Sequence, residues 1–315
     1  MRPTTRRSVP KLTGMQPVVK QMPAGPVAGA REWTDVSVDE AIRRLRADPS
    51  WADLVRDAYL GRDVADSARR FSASGEFQEV KAILADLLQG GAVLDIGAGT
   101  GIASAALLSA GARRVVALEP DPSDEVGRGA IARLDPEMRI EVVDGFGEAI
   151  PFPSEAFDVV YVRQLLHHAE DLQQLVSECA RVLRTGGVLM ACREHVVDNE
   201  AQLAAFLATH PVHRLAGGEN AYSLPEYLAA ISNAGLRLDR VFGPLDSVIN
   251  AFPMARSRED LDAAPRRALQ RRFGLAGALA GHVPGVQSLV AARMRRSAQS
   301  VPGRLYSFVA SKPAG

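Results

Sequence analysis

The chain is poor in cysteine, carries no excess of either charge and has no long apolar run. Its 315 residues include two cysteines, Cys179 and Cys192, whose separation fits no C-x-x-C motif and whose scarcity suits a reducing compartment, the cytoplasm. We read both as small buried apolar residues. Basic and acidic residues each number 37, so the net charge gives no reason to expect nucleic acid or a membrane as a partner. The longest apolar runs are too short for a membrane-spanning helix.

The first thirty residues lack acids altogether. They contain five prolines and several basic residues, but no apolar core of the kind that a secretory signal needs. The prolines also oppose the amphipathic helix of an organelle transit peptide. Residues 1–30 are therefore predicted to be a disordered tail.

After residue 30 the spacing of the apolar residues divides the sequence into three parts. Residues 31–90 hold three stretches with helical spacing, "SVDEAIRRLRA", "WADLVRDAYL" and "SGEFQEVKAILADLL", which predict an N-terminal helical segment. In residues 91–195 short apolar runs alternate with helical stretches, which predicts an α/β core with a parallel sheet and crossover helices. Residues 196–315 hold two more strand-like runs, "LRLDRVFGP" and "RLYSFVASK", separated by a long helical insertion.

The stretch "AVLDIGAGTG" combines a strand-like run with three glycines at alternate positions. Gly97, Gly99 and Gly101 let a ligand approach the backbone closely, and Asp95 precedes them by two residues. Dinucleotide-binding proteins use a G-x-G-x-x-G spacing, and a carboxylate this near would repel a pyrophosphate. Glu119 ends the next strand-like run, where it can accept the hydroxyls of a ribose. The ligand is therefore expected to carry a ribose and a positive charge, which disfavours an NAD-dependent dehydrogenase.

Four motifs occur in the order and at the separations of one known family. The sequences "VLDIGAGTG", "LEPD", "IPFPSEAFDVVYVRQLLHH" and "RVLRTGGVL" resemble the class I S-adenosylmethionine-dependent methyltransferases, in the subgroup that methylates small molecules such as sugars. The resemblance implies a Rossmann-like, seven-stranded, mostly parallel sheet with a final antiparallel hairpin. It also implies S-adenosylmethionine as the cofactor, bound over the carboxyl ends of the strands in residues 91–195. The N-terminal helices and the helical insertion before the last strand would be additions to this core.

The resemblance also implies which residues hold the cofactor. They are Asp95, Gly97, Ala98, Gly99, Gly101, Glu119, Asp144, Gly145, Phe146, Gly147 and Arg163. One position departs from the family pattern, because Phe146 stands where family members commonly place the acid that meets the adenine amine. Asp144 or the backbone of Gly147 could substitute for that acid, or the purine could stack on Phe146.

Two adjacent histidines follow the fourth strand-like run. Similar methyltransferases that act on sugar hydroxyls use a histidine at this place as general base, helped by an acid at the end of the following strand. The resemblance therefore implies His167 or His168 as the base, oriented by Glu194, although strict alignment puts Arg193 at the position of the acid. A structural role for one of the two histidines, near the start of the next helix, is an equally open interpretation.

The segment "THPVHRLAGGENAYSLPEY" is rich in polar groups and glycine, and it is predicted to form part of the wall of the substrate site. His210 and His213 have a separation that can bind a metal from a helix, with Glu219 shortly after them. Because Pro211 lies between the two histidines and no second cluster is visible, no metal is expected. The same loop is the alternative source of a base. The expected substrate-binding residues are His195, His210, His213, Glu219, Asn220 and Tyr222.

The insertion at 254–304 contains ten arginines and three acids. A solvated helical face explains such a composition, and contact with an anionic substrate group or an acidic carrier protein is the second interpretation.

The resemblance implies direct transfer of a methyl group from S-adenosylmethionine to a small-molecule acceptor. We expect O-methylation of a sugar or secondary metabolite, with methylation of carbon or nitrogen and a non-catalytic S-adenosylmethionine-binding scaffold as alternatives. Neither nucleic acid nor a membrane is expected as a partner, and a homodimer is left open.

Overall fold

A computed structural model describes residues 36–216 and 219–314. The tail predicted at 1–30 lies outside these residues, as do the first residues of the predicted helical segment. Helices occur in all three of the N-terminal stretches that the sequence predicts, and one further helix lies between them. They are α1 (Val38–Ala47), α2 (Ala52–Asp57), α3 (Val64–Ser72) and α4 (Gly75–Leu88).

Polar side chains fix where these helices begin. Ser37 accepts a hydrogen bond from the backbone N–H of Glu40 ahead of α1 (3.3 Å), and Ser74 accepts one from the N–H of Phe77 ahead of α4 (3.1 Å). Each bond satisfies a backbone donor that has no partner within the helix. The apolar face of α4 is then buried against the sheet through residues such as Val80 and Leu84.

The centre of the fold is one seven-stranded sheet. Its strands are β1 (Ala92–Ile96), β2 (Arg114–Leu118), β3 (Glu141–Val143), β4 (Phe157–Arg163), β5 (Leu183–Val196), β6 (Arg237–Phe242) and β7 (Arg304–Ser311). They lie side by side in the order β3-β2-β1-β4-β5-β7-β6, and β7 runs antiparallel to both of its neighbours. The predicted mostly parallel sheet with a final antiparallel hairpin is confirmed.

Helices cover the two faces of the sheet and fill the connections. They are α5 (Ile102–Ser109), α6 (Arg128–Leu134), α7 (Leu172–Val182), α8 (Glu200–Thr209), α9 (Pro211–Ala216), α10 (Leu224–Asn233), α11 (Val248–Ala251), α12 (Arg258–Ala280) and α13 (Pro284–Gln299). The last two are the predicted helical insertion, and α12 is kinked at Gly274, whose backbone is not helical.

Among the described residues, no helix combines the length and the apolar character that crossing a membrane requires.

The central strands are buried on both faces, which explains why they read as unbroken apolar runs. All five residues of β1 are buried, and two apolar clusters lie on opposite sides of the sheet. Cys179 and Cys192 are free thiols within these clusters, as their interpretation as buried apolar residues predicts. Burial raises the pKa of both thiols, so neither is suited to nucleophilic chemistry.

Candidate active site

The turn between β1 and α5 contains three glycines with left-handed backbone. Gly97, Gly99 and Gly101 have φ angles of 64°, 55° and 79°, in the left-handed region that favours glycine. A Cβ atom at Gly97 would stand 2.6 Å from Cδ1 of Leu165, so a side chain at this position would also displace Leu165. The turn therefore presents bare backbone at the carboxyl end of β1, with the small residue Ala98 buried within it.

Asp95 lies beneath this turn and is only 2% exposed. Its Oδ2 accepts a hydrogen bond of 2.6 Å from the Ser104 hydroxyl on α5. Burial raises the pKa of Asp95 to about 7, although the bond from Ser104 opposes that shift. The carboxylate is thus poorly compensated by its own surroundings, and a cation bound nearby would stabilise its charged form.

Glu119 follows β2 and holds the glycine turn from the other side. One carboxylate oxygen accepts a hydrogen bond from the N–H of Gly99 (2.7 Å), and the other accepts one from the N–H of Asp121 (2.9 Å). A carboxylate has about four lone-pair sites, so two acceptor positions remain for a ligand. Burial raises the pKa of Glu119, and the two backbone bonds oppose that shift. Its predicted contact with ribose hydroxyls stays a prediction that this geometry permits.

The segment after β3 has an unusual distribution of exposure. Phe146 leaves 66% of its surface open, whereas Gly147 beside it is buried against Leu175. Asp144 is paired with Arg128, with 2.9 Å between Oδ1 and Nη1. Gly145 packs against a side chain at the end of β2. An exposed aromatic face is therefore available for a purine, while the carboxylate of Asp144 already has a partner.

Arg163, at the end of β4, connects the sheet to the N-terminal helices. Its Nε lies 2.6 Å from Oε1 of Glu76 on α4, and Glu76 is fully buried. The guanidinium also lies over the rings of Tyr59 and Phe71. Its charge acts to lower the pKa of Asp95, so it is close to the predicted cofactor site. Its predicted contact with the cofactor remains a prediction, and its visible contacts are structural.

A bulge in β5 decides which acid faces the histidine pair. Ala191 pairs with Phe308 and Glu194 pairs with Tyr306, so β5 contains one residue more than β7 over this interval. The extra residue reverses the alternation of side chains beyond it. Arg193, with a φ of 61°, turns away and donates hydrogen bonds to the carbonyls of residues 249 and 252.

Glu194 therefore faces the segment that contains the histidine pair. It accepts hydrogen bonds from the N–H groups of Leu165 (3.2 Å) and His167 (3.1 Å), and its Oε2 lies 2.8 Å from Nδ1 of His167. Glu194 thus holds His167, whereas the resemblance offered it as the orienting acid for either member of the pair. The bulge is invisible in the sequence because it depends on pairing with β7.

His167 is buried and carries two carboxylate contacts. It is 1% exposed, and its Nε2 lies 3.6 Å from Oε2 of Glu219. Burial alone would lower its pKa, but Glu194 and Glu219 outweigh burial and raise the pKa to about 9. A buried imidazole is less accessible to an acceptor hydroxyl than a partly exposed one is. The role of His167 as the general base, one of the two candidates that the resemblance implies, stays a prediction.

Glu219 lies among three imidazoles. Its Oε2 is 3.6 Å from Nε2 of both His167 and His168, and its Oε1 is 3.6 Å from Nδ1 of His210. Burial acts to raise its pKa, but these histidines outweigh burial and lower it to about 2. His195 packs edge-on against His167 and hydrogen-bonds through Nδ1 to the carbonyl of Gly303 (2.7 Å). Four imidazoles and two carboxylates thus form one group, which we call the histidine cluster: His167, His168, His195, His210, Glu194 and Glu219.

The remaining residues of the predicted substrate wall lie around this cluster. The hydroxyl of Tyr222 donates to the carbonyl of Ala169 (2.6 Å), which connects the loop to the residue that follows the histidine pair. Asn220 is partly exposed, and the N–H of His213 points at Nδ1 of His210 (3.4 Å). The loop containing Glu219 and the histidine pair after β4 therefore meet at one place.

The sequence predicts no metal site, but the structure brings together a set of possible ligands. Nε2 of His167, Nε2 of His168 and a carboxylate oxygen of Glu219 all lie within 4.8 Å of one another. Spacing along the chain suggested a different set, based on His210 and His213. The signal was missed because His167 and Glu219 are distant in sequence and meet only through the fold.

Residues 94–191 match the family model described as a methyltransferase domain. Together with the strand order and the glycine turn, this match shows that residues 94–191 form a methyltransferase domain with the class I, S-adenosylmethionine-dependent architecture. S-adenosylmethionine is the cofactor of this class.

Several characterised proteins are similar to part of the chain. A demethylmenaquinone methyltransferase from Clavibacter sepedonicus is 36% identical over 32% of this chain and 40% of its own length. A ubiquinone biosynthesis O-methyltransferase from Xylella fastidiosa is 32% identical over 50% of this chain and 65% of its own. The 27-O-demethylrifamycin SV methyltransferase of Amycolatopsis mediterranei is 29% identical over 60% and 68%. The chain thus spans less than two thirds of the length of the first two.

Solved structures support the fold. A putative sarcosine dimethylglycine methyltransferase from Galdieria sulphuraria has a TM-score of 0.53 at 18% identity, over 87% of this chain and 99% of the other. The geranyl diphosphate C-methyltransferase of Streptomyces coelicolor has a TM-score of 0.50 at 16% identity, over 92% and 100%. At such identities the likeness concerns the fold alone.

Proposed function

We propose that this chain transfers the methyl group of S-adenosylmethionine to a hydroxyl of a small-molecule acceptor, such as a sugar or another secondary metabolite. The observation that carries the proposal is the placement of two sites at one edge of the sheet. The glycine turn with Asp95 and Glu119 follows β1 and β2, and the histidine cluster follows β4 and β5, the next strands in the sheet. Open α/β sheets bind their ligands at this edge.

The residues around the turn suit a cofactor that carries a ribose and a positive charge. Glu119 keeps acceptor capacity for two hydroxyls, and the missing side chains at Gly97 and Gly99 leave the backbone accessible. Asp95 gains most from a cation, because burial disfavours its own charge. The cofactor supplies an activated methyl group, so the protein has to align the acceptor and remove its proton.

The histidine cluster supports a hydroxyl as the acceptor. As the oxygen attacks, the O–CH3 bond forms, the S–CH3 bond breaks, S-adenosylhomocysteine leaves, and the hydroxyl proton passes to an imidazole. His168 and His210 leave 37% and 20% of their side chains exposed, against 1% for His167. We therefore assign the base to His168 or His210. Two of the similar proteins are named for an oxygen-linked methyl group, which agrees with this choice.

The experiment that tests this function uses S-adenosylmethionine with a 13C-labelled methyl group. The full chain is incubated with a panel of sugars, phenols and polyketide-like alcohols, and NMR shows which product carries the label. The chemical shift of the label distinguishes methyl bound to oxygen from methyl bound to carbon or nitrogen. Labelled O-methyl product is expected, and product labelled only at carbon or nitrogen would contradict the proposed acceptor atom.

A further inference from the structure

The carboxylate of Glu219 is the most unusual group in the histidine cluster. Its side chain is 8% exposed, and its Oε2 is buried without a hydrogen-bond partner among the residues that the structure describes. A buried charged oxygen without a partner is costly, and native proteins rarely leave one. The three imidazole nitrogens around Glu219 stand at 3.6 Å, longer than a direct hydrogen bond. The arrangement therefore has room for something between these atoms.

The separations suit the edges of a metal coordination sphere. Two ligand atoms about 2.1 Å from a tetrahedral cation stand about 3.4 Å apart. The distances from Oε2 of Glu219 to Nε2 of His167 and of His168 are both 3.6 Å, and all three ligand atoms lie within 4.8 Å of one another. A small inward movement of these side chains would bring all three to bonding distance of one ion.

The second support comes from Glu194. It contacts Nδ1 of His167 at 2.8 Å, which directs Nε2 of the same ring toward Glu219. Histidines that bind metals commonly make such a contact with a carboxylate through their other nitrogen, because the contact fixes the tautomer and the ring orientation. Glu194 would thus serve as the outer partner of a ligand, without contacting the ion itself.

We propose that His167, His168 and Glu219 bind a divalent transition-metal ion of the zinc type. Two imidazoles and one carboxylate suit Zn²⁺ and its neighbours, whereas Mg²⁺ and Ca²⁺ prefer sites built from oxygen ligands alone. Three protein ligands leave a coordination position open, as in catalytic zinc sites. His168 is the most exposed of the three ligands, so the open position is expected on its side.

This inference deepens the proposed function. Only the role of the ion in methyl transfer rests on that function. A cation at this place would bind the acceptor hydroxyl and lower its pKa. His168 would then be a ligand, which leaves His210, next to Glu219, as the imidazole that receives the proton. Binding of the ion itself does not depend on methyl transfer and can be measured separately.

The test is a calorimetric titration of the chelator-treated full chain with Zn²⁺, combined with mass spectrometry of the bound metal. One ion per chain is expected. Glu219→Gln and His168→Gln should each weaken binding by about 100-fold or more, and Glu194→Gln by about 10- to 100-fold, as for the loss of an outer partner. His282→Ala is the matched control, because His282 is exposed in the turn between α12 and α13 and should bind no specific ion.

Each variant is also titrated with S-adenosylhomocysteine, which reports whether it has folded. Absence of stoichiometric Zn²⁺ binding by the natural protein would overturn the metal site. So would Zn²⁺ affinities of Glu219→Gln and His168→Gln equal to that of the natural protein, even where S-adenosylhomocysteine binds normally. Zn²⁺ binding without S-adenosylhomocysteine binding would instead leave the metal site standing and contradict the proposed function. Because His168 is partly exposed, its variant provides the test if Glu219→Gln does not fold.

Discussion

Glu194 and His167 form a buried pair, with 2.8 Å between Oε2 of the carboxylate and Nδ1 of the imidazole. The pair exists because β5 contains one extra residue at Arg193, which turns Glu194 toward the end of β4. His167 is thereby fixed in place and removed from solvent. We therefore propose that proton transfer from an acceptor involves the more exposed imidazoles, His168 and His210.

We expect Glu119→Ala to weaken the binding of S-adenosylhomocysteine by about 1–3 kcal/mol, the effect of losing hydrogen bonds to a charged group. Part of the loss would come from the glycine turn, because Glu119 also accepts a hydrogen bond from Gly99. Calorimetry measures the affinity, and the melting temperature shows whether the turn alone is affected. Glu137→Ala is the control, since Glu137 is 75% exposed. Unchanged affinity in the folded Glu119 variant would remove this residue from the cofactor site.

The stability of the protein should depend on the protonation of Asp95. Burial raises its pKa to about 7, above its value in the unfolded chain. The folded state therefore holds this proton more tightly, so the stabilisation is complete below about pH 4 and is lost as the pH rises through 7. The amide of Asp95→Asn does not ionise. The free energy of unfolding of this variant, relative to that of the natural protein, should therefore increase from pH 5 to pH 8. Urea unfolding across this range measures the difference, and parallel curves for the two proteins would refute the shifted pKa.

Arg163 is expected to matter more for stability than its position near the cofactor suggests. Among the described residues, Arg163→Met would leave the buried carboxylate of Glu76 with only a distant contact to Arg193 at 4.0 Å. Removing one partner of a buried ion pair typically costs about 3–5 kcal/mol. The double variant Glu76→Leu with Arg163→Met should recover much of this loss, because no buried charge remains. A single variant as stable in urea as the natural protein would show that the pair is energetically unimportant.

Removal of both exposed imidazoles should slow methyl transfer to a hydroxyl. The double variant His168→Ala with His210→Ala is expected to lower kcat by about 10²–10⁴, the usual contribution of a general base, with little change in affinity for S-adenosylhomocysteine. Single-turnover kinetics with an accepted substrate measures the effect, and His282→Ala serves as the control. A folded double variant with nearly full turnover would exclude both imidazoles as the base.

The sheet could be predicted from sequence because each strand is a short apolar run between turn residues. β1 and β4 are buried on both faces, so their composition alone identifies them. The glycine turn could also be predicted, since Gly97 and Gly101 require left-handed backbone. The strands and the glycine turn each depend on residues that are close together in the sequence.

The candidate site could be predicted only in part, because its contacts join distant segments. Glu76 pairs with Arg163 across 87 positions of the chain, and no local pattern of Glu76 indicates this partner. The bulge at Arg193 depends on the register with β7, which the sequence of β5 does not contain. The sequence predicts Glu219 in the substrate wall, and only the fold places it near both His167 and His168.

The most direct test of the central claim is calorimetric titration of the full chain with S-adenosylhomocysteine and, separately, with NAD. We predict that S-adenosylhomocysteine binds one molecule per chain, that Glu119→Ala weakens this binding, and that NAD does not bind. Binding of NAD in place of S-adenosylhomocysteine, or of neither compound by the folded protein, would contradict a methyltransferase site at the glycine turn.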